Sequence, residues 1–316
     1  MPLDCPTLKS TLDTLAEKRE ALRLAITEAA ETGDFDTART LEAEVGTLLA
    51  SLRETMAPAI LDASCELFKQ DFLGPEAIGE TFGFAIDRND IPLIPFSKQE
   101  LEEAAKKGFQ LILDWDTFPD GTPMTGKAMT ERLGGTTSDG GKILFDTDWY
   151  ENEDFFTKET PKKGWRLVKI EATHTSENYL TQTDSLRKEI EAEYAGKQIP
   201  KIYEDAFTEY EAKKPEIERL WKDYNTNWKQ IVEILANLKL TALTRESFSE
   251  LLQRMVVTEK KTKKKLLPNT HAWTRSRSSG GDLVSVGCFG AGGAGVNGYG
   301  PRNADGVLGV CSSRRV

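Results

Sequence analysis

The last 42 residues, from Arg275 to Val316, contain no Lys, Glu, Gln, Met or Trp. The first 274 residues hold 25 Lys, 31 Glu, 7 Gln, 5 Met and 6 Trp, so at the same frequency about eleven of these types are expected in the tail. The tail also carries eleven of the 25 glycines. It is nevertheless not a low-complexity segment, because apolar residues recur at Leu283, Val284, Val286, Phe289, Val296, Val307, Leu308 and Val310. SGGDLVSVGCFG reads as a turn and a strand, GAGG as a second turn, and GVLGVC as a final strand. Any fold for this chain must therefore anchor strands on fixed apolar positions and leave the positions between them to a restricted alphabet. Its stability has to come from elsewhere.

The genetic code offers a source for that alphabet. An AAC codon whose two adenines are freely replaced becomes NNC, which encodes fifteen residue types. The five types it leaves out are the five missing from this tail.

The body is of a different kind. A 39% hydrophobic and 29% charged composition is that of a globular chain and excludes a wholly disordered one. No run approaches roughly 18 apolar residues, so no membrane span is expected. The N-terminal MPLDCPTLKS lacks a basic region followed by an apolar core, which makes a cytoplasmic location the default expectation. The net charge of −10 is unevenly spread. Residues 260–316 carry +8 and the rest −18. A basic end on an acidic body implies either an anionic partner or docking of the end on its own body, and docking is the expectation.

Residues 7–56 read as an antiparallel helical hairpin. Leu8, Leu12, Leu15, Leu22, Ile26 and Ala29 form one stripe. Ala38, Leu41, Val45, Leu48, Leu52 and Met56 form another, and Thr32-Gly33-Asp34 is the turn between them. One hairpin buries little, so its stripe is expected to pack on the body or on a second copy, giving a homo-oligomer. Pro58 and Pro75 are expected to break the helical pattern. Beyond them come a capped helix from Lys98, strands at Phe109–Leu113 and Trp165–Ile170, and loops over 114–150. A largely helical stretch runs from 176 to 256, with Pro200 and Pro215 as punctuation and Thr244 capping a final helix.

Catalytic and metal chemistry have little material. There are two histidines, His174 and His271, and four scattered cysteines (Cys5, Cys65, Cys288, Cys311) with no CxxC. Asp114, Asp116, Asp120 and Gly121 resemble a calcium loop, but the spacing is one residue too long and the closing Glu is missing, so a plain loop is favoured. Lys260–Lys265 has no interleaved aromatic residue and reads as a solvated helix end rather than a nucleic-acid contact. Trp273 is expected in the core. No metal or other cofactor is expected.

Several segments together carry a family resemblance. They are Leu266-Leu267-Pro268-Asn269, Ala272-Trp273-Thr274, Ser276-Arg277-Ser278-Ser279, Asp282 through Gly287, Leu308-Gly309-Val310 and Ser313-Arg314. Upstream, Phe72 through Ala77, Asp148-Trp149-Tyr150 and Gly164 through Val168 add to it. On these residues the chain resembles the variable proteins of diversity-generating retroelements from candidate-phylum bacteria. The resemblance covers about 70–316 and is weaker over the hairpin.

That resemblance implies an α+β, C-type-lectin-like domain over 70–316, with a helical insertion at about 176–260 and a diversified segment at 275–316, preceded by the helical hairpin of 1–60. It further implies a protein that binds a ligand, a protein or other macromolecule, without transforming it. The expected variable, ligand-contacting positions are Ser285, Cys288, Gly290, Ala291, Gly292, Gly293, Ala294, Asn297, Tyr299, Arg302, Asn303, Ala304, Val307 and Cys311. Unlike the usual pattern, this copy is poor in aromatic residues there. Two alternatives stand beside this reading. One is an oligomeric assembly protein. The other is an oxidase like the formylglycine-generating enzymes, which share lectin-like folds and for which Cys288 and Cys311 are the only C-terminal cysteines. Calcium-dependent sugar binding lacks an EPN, QPD or WND tripeptide.

Overall fold

The structure, a computed structural model, describes residues 5–315, with the side chains of 5–9, 11, 12 and 53 left out. The expected contributions of Leu8 and Leu12 to the hairpin stripe thus lie outside the described residues. The chain divides into two compact units, Met1–Glu66 and Leu67–Val316.

The first unit is the helical hairpin. Helix α1 (Cys5–Thr32) is followed by α2 (Asp36–Phe68), and the turn between them uses Gly33 at φ +77°, the left-handed region that glycine enters without strain. A seven-residue rhythm lines the seam. Leu15 and Ala29 on α1, and Ala38, Val45 and Leu52 on α2, are buried, with Leu22 and Leu48 half-buried beside them. Ile26, expected in the stripe, lies off the seam and is 51% exposed. Pro58 does not break α2, which continues through it. Its missing N–H would have bonded the carbonyl of Glu54, and both residues are exposed, where a free carbonyl costs little.

The second unit is built on two four-stranded sheets. In the first, β1 (Phe72–Leu73) runs parallel to β2 (Phe109–Asp114), β2 pairs antiparallel with β3 (Gly164–Lys169), and β3 pairs antiparallel with β8 (Ser313–Arg314). In the second, the order is β6 (Gly293–Tyr299), β5 (Leu283–Gly290), β4 (His271–Arg277) and β7 (Leu308–Gly309). The tail thus supplies β5 to β8 and the end of β4, and its last strand returns to the first sheet.

Helices α3 (Pro75–Phe82), α4 (Lys98–Lys106), α5 (Gly126–Arg132) and α6 (Asp154–Thr157) connect the early strands. The helical stretch resolves into α7 (Tyr179–Glu193), α8 (Lys201–Lys222), α9 (Tyr224–Asn237), α10 (Lys239–Thr244) and α11 (Phe248–Thr262). Pro215 lies exposed inside α8, again without ending the helix. Thr244 closes α10 instead of capping α11. The cap of α11 is Ser247, whose Oγ accepts the Glu250 N–H at 3.2 Å while Glu250 Oε2 accepts the Ser247 N–H at 2.8 Å. From Phe248 to Glu259 every residue of α11 is buried. Helices α7 to α10 pack on Trp273, Leu283 and Leu308 of the second sheet and form one hydrophobic core with them.

Candidate ligand-binding surface

Strand register decides which tail side chains reach solvent. Trp273 on β4, Ser285 on β5 and Asn297 on β6 form one row, and His271, Gly287 and Gly295 form the next. Side chains alternate along each strand, so these residues share one face while Ala272, Val284, Val286, Ala294 and Val296 share the other. The second face is buried throughout. On the first face, exposure depends on position across the sheet. Ser285, on an inner strand, is fully buried, whereas Asn297 is half-buried and Tyr299 is exposed on edge strand β6.

The expected variable positions therefore separate. Cys288, Gly290, Ala291, Gly292, Tyr299, Arg302, Ala304 and Val307 are exposed, and Asn297 and Asn303 are half-buried. Ser285, Gly293, Ala294 and Cys311 are buried and offer no side chain to a ligand. Gly293 is further constrained, because a Cβ there would sit 2.4 Å from the backbone of Leu144, and its φ is +106°.

The exposed positions form two groups. The first is the β5–β6 turn, where the register shifts between Gly287 and Gly290 and Cys288 adopts φ +46°. Phe145, 63% exposed, lies over Gly292. The second comprises Tyr299 and the loop that follows it. Tyr299 meets Trp273 edge-on at 6.1 Å, and Arg302 stacks on Tyr224 at 4.1 Å. Trp149 lies beside Gly298, exposed by 44%, with its Nε1 donating to the Val296 carbonyl at 3.2 Å. Phe145 and Trp149 thus supply large aromatic area next to a tail that is poor in it. Sequence reasoning did not assign either to the surface, although the Asp148-Trp149-Tyr150 segment carried part of the family resemblance. The face that carries Tyr299 also holds unpartnered polar atoms. Trp273 Nε1, Ser285 Oγ and His271 Nδ1 are buried without a hydrogen-bond partner. Burial lowers the pKa of His271, against the opposing charge of Asp305.

The basic tail docks on its own body, as the charge split suggested. Arg275 and Arg315 reach Glu250 at 3.0 and 2.7 Å, Arg314 reaches Glu193 and Glu189 at 3.0 and 3.3 Å, and Arg277 pairs with Glu233. Within the Lys260–Lys265 run, Lys261 donates to the Phe72 carbonyl at 2.6 Å and Lys265 pairs with Asp139 at 3.0 Å. Under the sheets lies a buried ionic core. Arg166 forks onto Asp114 and bonds Glu246 at 2.7 Å, and Arg254 holds the other side of Glu246 at 2.6 Å. Asp114 is thus a strand residue in an ion pair and not the start of a calcium loop. Burial pushes its carboxyl up, to about 6, against the pull of Arg166. Burial acts on Glu250 too, but Arg315, Arg275 and Arg166 outweigh it and hold that carboxyl well below the usual range.

Cys288 and Cys311 are both free thiols. Burial pushes the Cys311 thiol up to about 11, so it is not activated as a nucleophile. Among the described residues, no group of three or more His, Cys, Asp or Glu is placed to hold a metal ion, and no helix is long and apolar enough to cross a membrane.

No protein-family model, curated protein or solved structure matches the chain.

Proposed function

We propose that the chain is a hypervariable ligand-binding protein, its C-terminal strands and loops diversified by retroelement-directed adenine mutagenesis on a C-type-lectin-like scaffold. The observation that carries this reading is the tail's restricted alphabet, joined to its division into buried anchors and outward positions. Val284, Val286, Val296, Leu308 and Val310 anchor the tail, while the exposed positions hold mostly small side chains. The lectin-like arrangement is supported by β1 and β8, drawn from the two ends of the second unit, sharing one sheet while the other tail strands build a second.

The ligand is a protein or other macromolecule. Binding energy at such surfaces concentrates in a few Trp, Tyr and Arg anchors. In this copy Tyr299 and Arg302 are the tail's candidates, and Arg302 already rests on Tyr224. Weak binding is therefore expected, with Phe145 and Trp149 as the constant anchors. A ligand screen that returned a nanomolar partner would overturn the weak-binding expectation. The seam of the hairpin buries only a few large side chains, which favours self-association of residues 7–56.

The deciding experiment is to read the DNA flanking the gene. A near-copy of the tail's coding segment beside a reverse-transcriptase gene, differing from the tail only at template adenines, is expected. Absence of such a copy, with an unvaried tail in neighbouring strains, would sink the proposal.

A further inference from the structure

A cleft of about 670 Å³ opens beside the C-terminal end of β4, a size suited to a small molecule. Arg275 to Ser279 with Gly281 form one wall, α6 and its flanking residues a second, and α9 a third. None of the displayed tail positions lines it, so it is a site apart from the proposed binding surface.

Most of its charges are already satisfied. Arg277 pairs with Glu233, and Lys158 with Asp154 at 2.8 Å. Ser279 donates its N–H and hydroxyl to Glu153 at 2.6 and 2.7 Å, and Glu159 accepts the Ser276 hydroxyl at 2.7 Å. Two donors are left over. Among the described residues Lys229 pairs with no carboxylate, and its ammonium rests 5.4 Å from the Trp228 ring. Arg275 commits Nη2 to Glu250 at 3.0 Å, while its Nε is buried with no acceptor. A buried guanidinium N–H without a partner is costly unless an acceptor reaches it, and an ammonium in the same cleft adds to the attraction for an anion.

The remaining lining selects the kind of anion. Glu153, Asp154, Glu159 and Glu233 lie in the same walls and repel a multiply charged phosphate. A carboxylate carries a single charge, so it meets less of that repulsion while still offering acceptors to Arg275 and Lys229. Those same acidic side chains favour a cationic group on the other end of the molecule; Glu233, for one, remains 59% exposed despite its ion pair. We propose that this cleft binds a small zwitterion, a free α-amino acid or short peptide, with its carboxylate toward Arg275 and Lys229 and its ammonium toward Glu153 and Glu233.

Calorimetric titration of the full chain with alanine, dialanine and trialanine tests this. Acetate, dialanine amide (no carboxylate) and N-acetyl-dialanine (no ammonium) serve as controls. Saturable binding of at least one zwitterion is expected, about tenfold or more tighter than any control. Lys229→Ala, on an exposed side chain, should weaken it about tenfold without shifting the melting temperature, and Arg275→Lys should weaken it similarly while keeping the charge. The proposal is overturned by no saturable binding, by controls that bind equally well, or by affinity retained in both variants. Because the flanking DNA does not enter this test, its outcome is independent of the function proposed above.

Discussion

Arg166 has no exposed surface, and it satisfies two buried carboxylates from elements far apart in sequence. Removing one partner of such a cluster leaves uncompensated charge in a low-dielectric interior, so Arg166→Met should cost about 3–5 kcal/mol in denaturant unfolding. A second residue-scale test concerns His174, whose Nε2 lies 2.8 Å from Glu189. His174 is raised above its usual 6.5, chiefly by that hydrogen bond. Its contribution to stability is complete below pH 6.5 and is lost as pH climbs through the raised value. Glu189 is held at about 2. Burial pushes it up, but the His174 hydrogen bond, the Arg314 charge and the Ser312 hydroxyl outweigh that, so its contribution is complete above pH 4.5 and drains as pH falls toward 2. His174→Gln should therefore lower the melting temperature by about 2–4 °C near pH 5.5 and far less near pH 9. None of these pairings was legible beforehand. Asp114 invited a calcium reading because the Asp spacing is local, whereas its actual partner lies on another strand, 52 residues away.

At the scale of elements, local signals were read well where they were complete. The strands at Phe109 and Trp165 and the helix from Lys98 form as expected, the last with Ser97 and Glu100 as its capping box. The start of α11 lies later than Thr244 as cap would put it, because Ser247 and Glu250 carry the same box signature and Thr244 does not. Pro58 and Pro215 show why a proline alone is a poor stop signal: on a water-facing side the freed carbonyl finds solvent. The β5–β6 hairpin permits a test of anchors against displayed positions. A Cβ on Gly287 would lie 2.0 Å from the Thr270 carbonyl oxygen, so Gly287→Ala should destabilise by more than about 2 kcal/mol. Exposed Ala291→Tyr should change thermal stability by less than about 0.5 kcal/mol. A diversified surface needs that contrast, and equal costs at the two sites would count against it.

The whole molecule consists of two units with separate cores. A chain beginning at Leu67 is expected to melt with the cooperativity of the second unit in the full protein, as followed by circular dichroism. Residues 5–66 alone should be only marginally helical at low concentration, because a two-helix seam with so few buried large side chains offsets little chain entropy. At this scale the charge split had a direct structural meaning. Arg314 and Arg315 tie β8 to the carboxylates of the body, which closes the first sheet with the last residues of the tail.

From the order of residues alone came the tail's alphabet, its strand anchors, the seven-residue seam of the hairpin and the self-docking basic end. Each is written in local spacing or in summed charge, and each survives whatever the distant parts of the chain do. Which displayed positions reach solvent was decided only by tertiary packing. Ser285 is buried on an inner strand and Cys311 is packed beside the ionic core, whereas Tyr299 lies open at a sheet edge. Period and propensity fix where a side chain points from its own strand, but exposure depends on what elements a hundred residues away place over it.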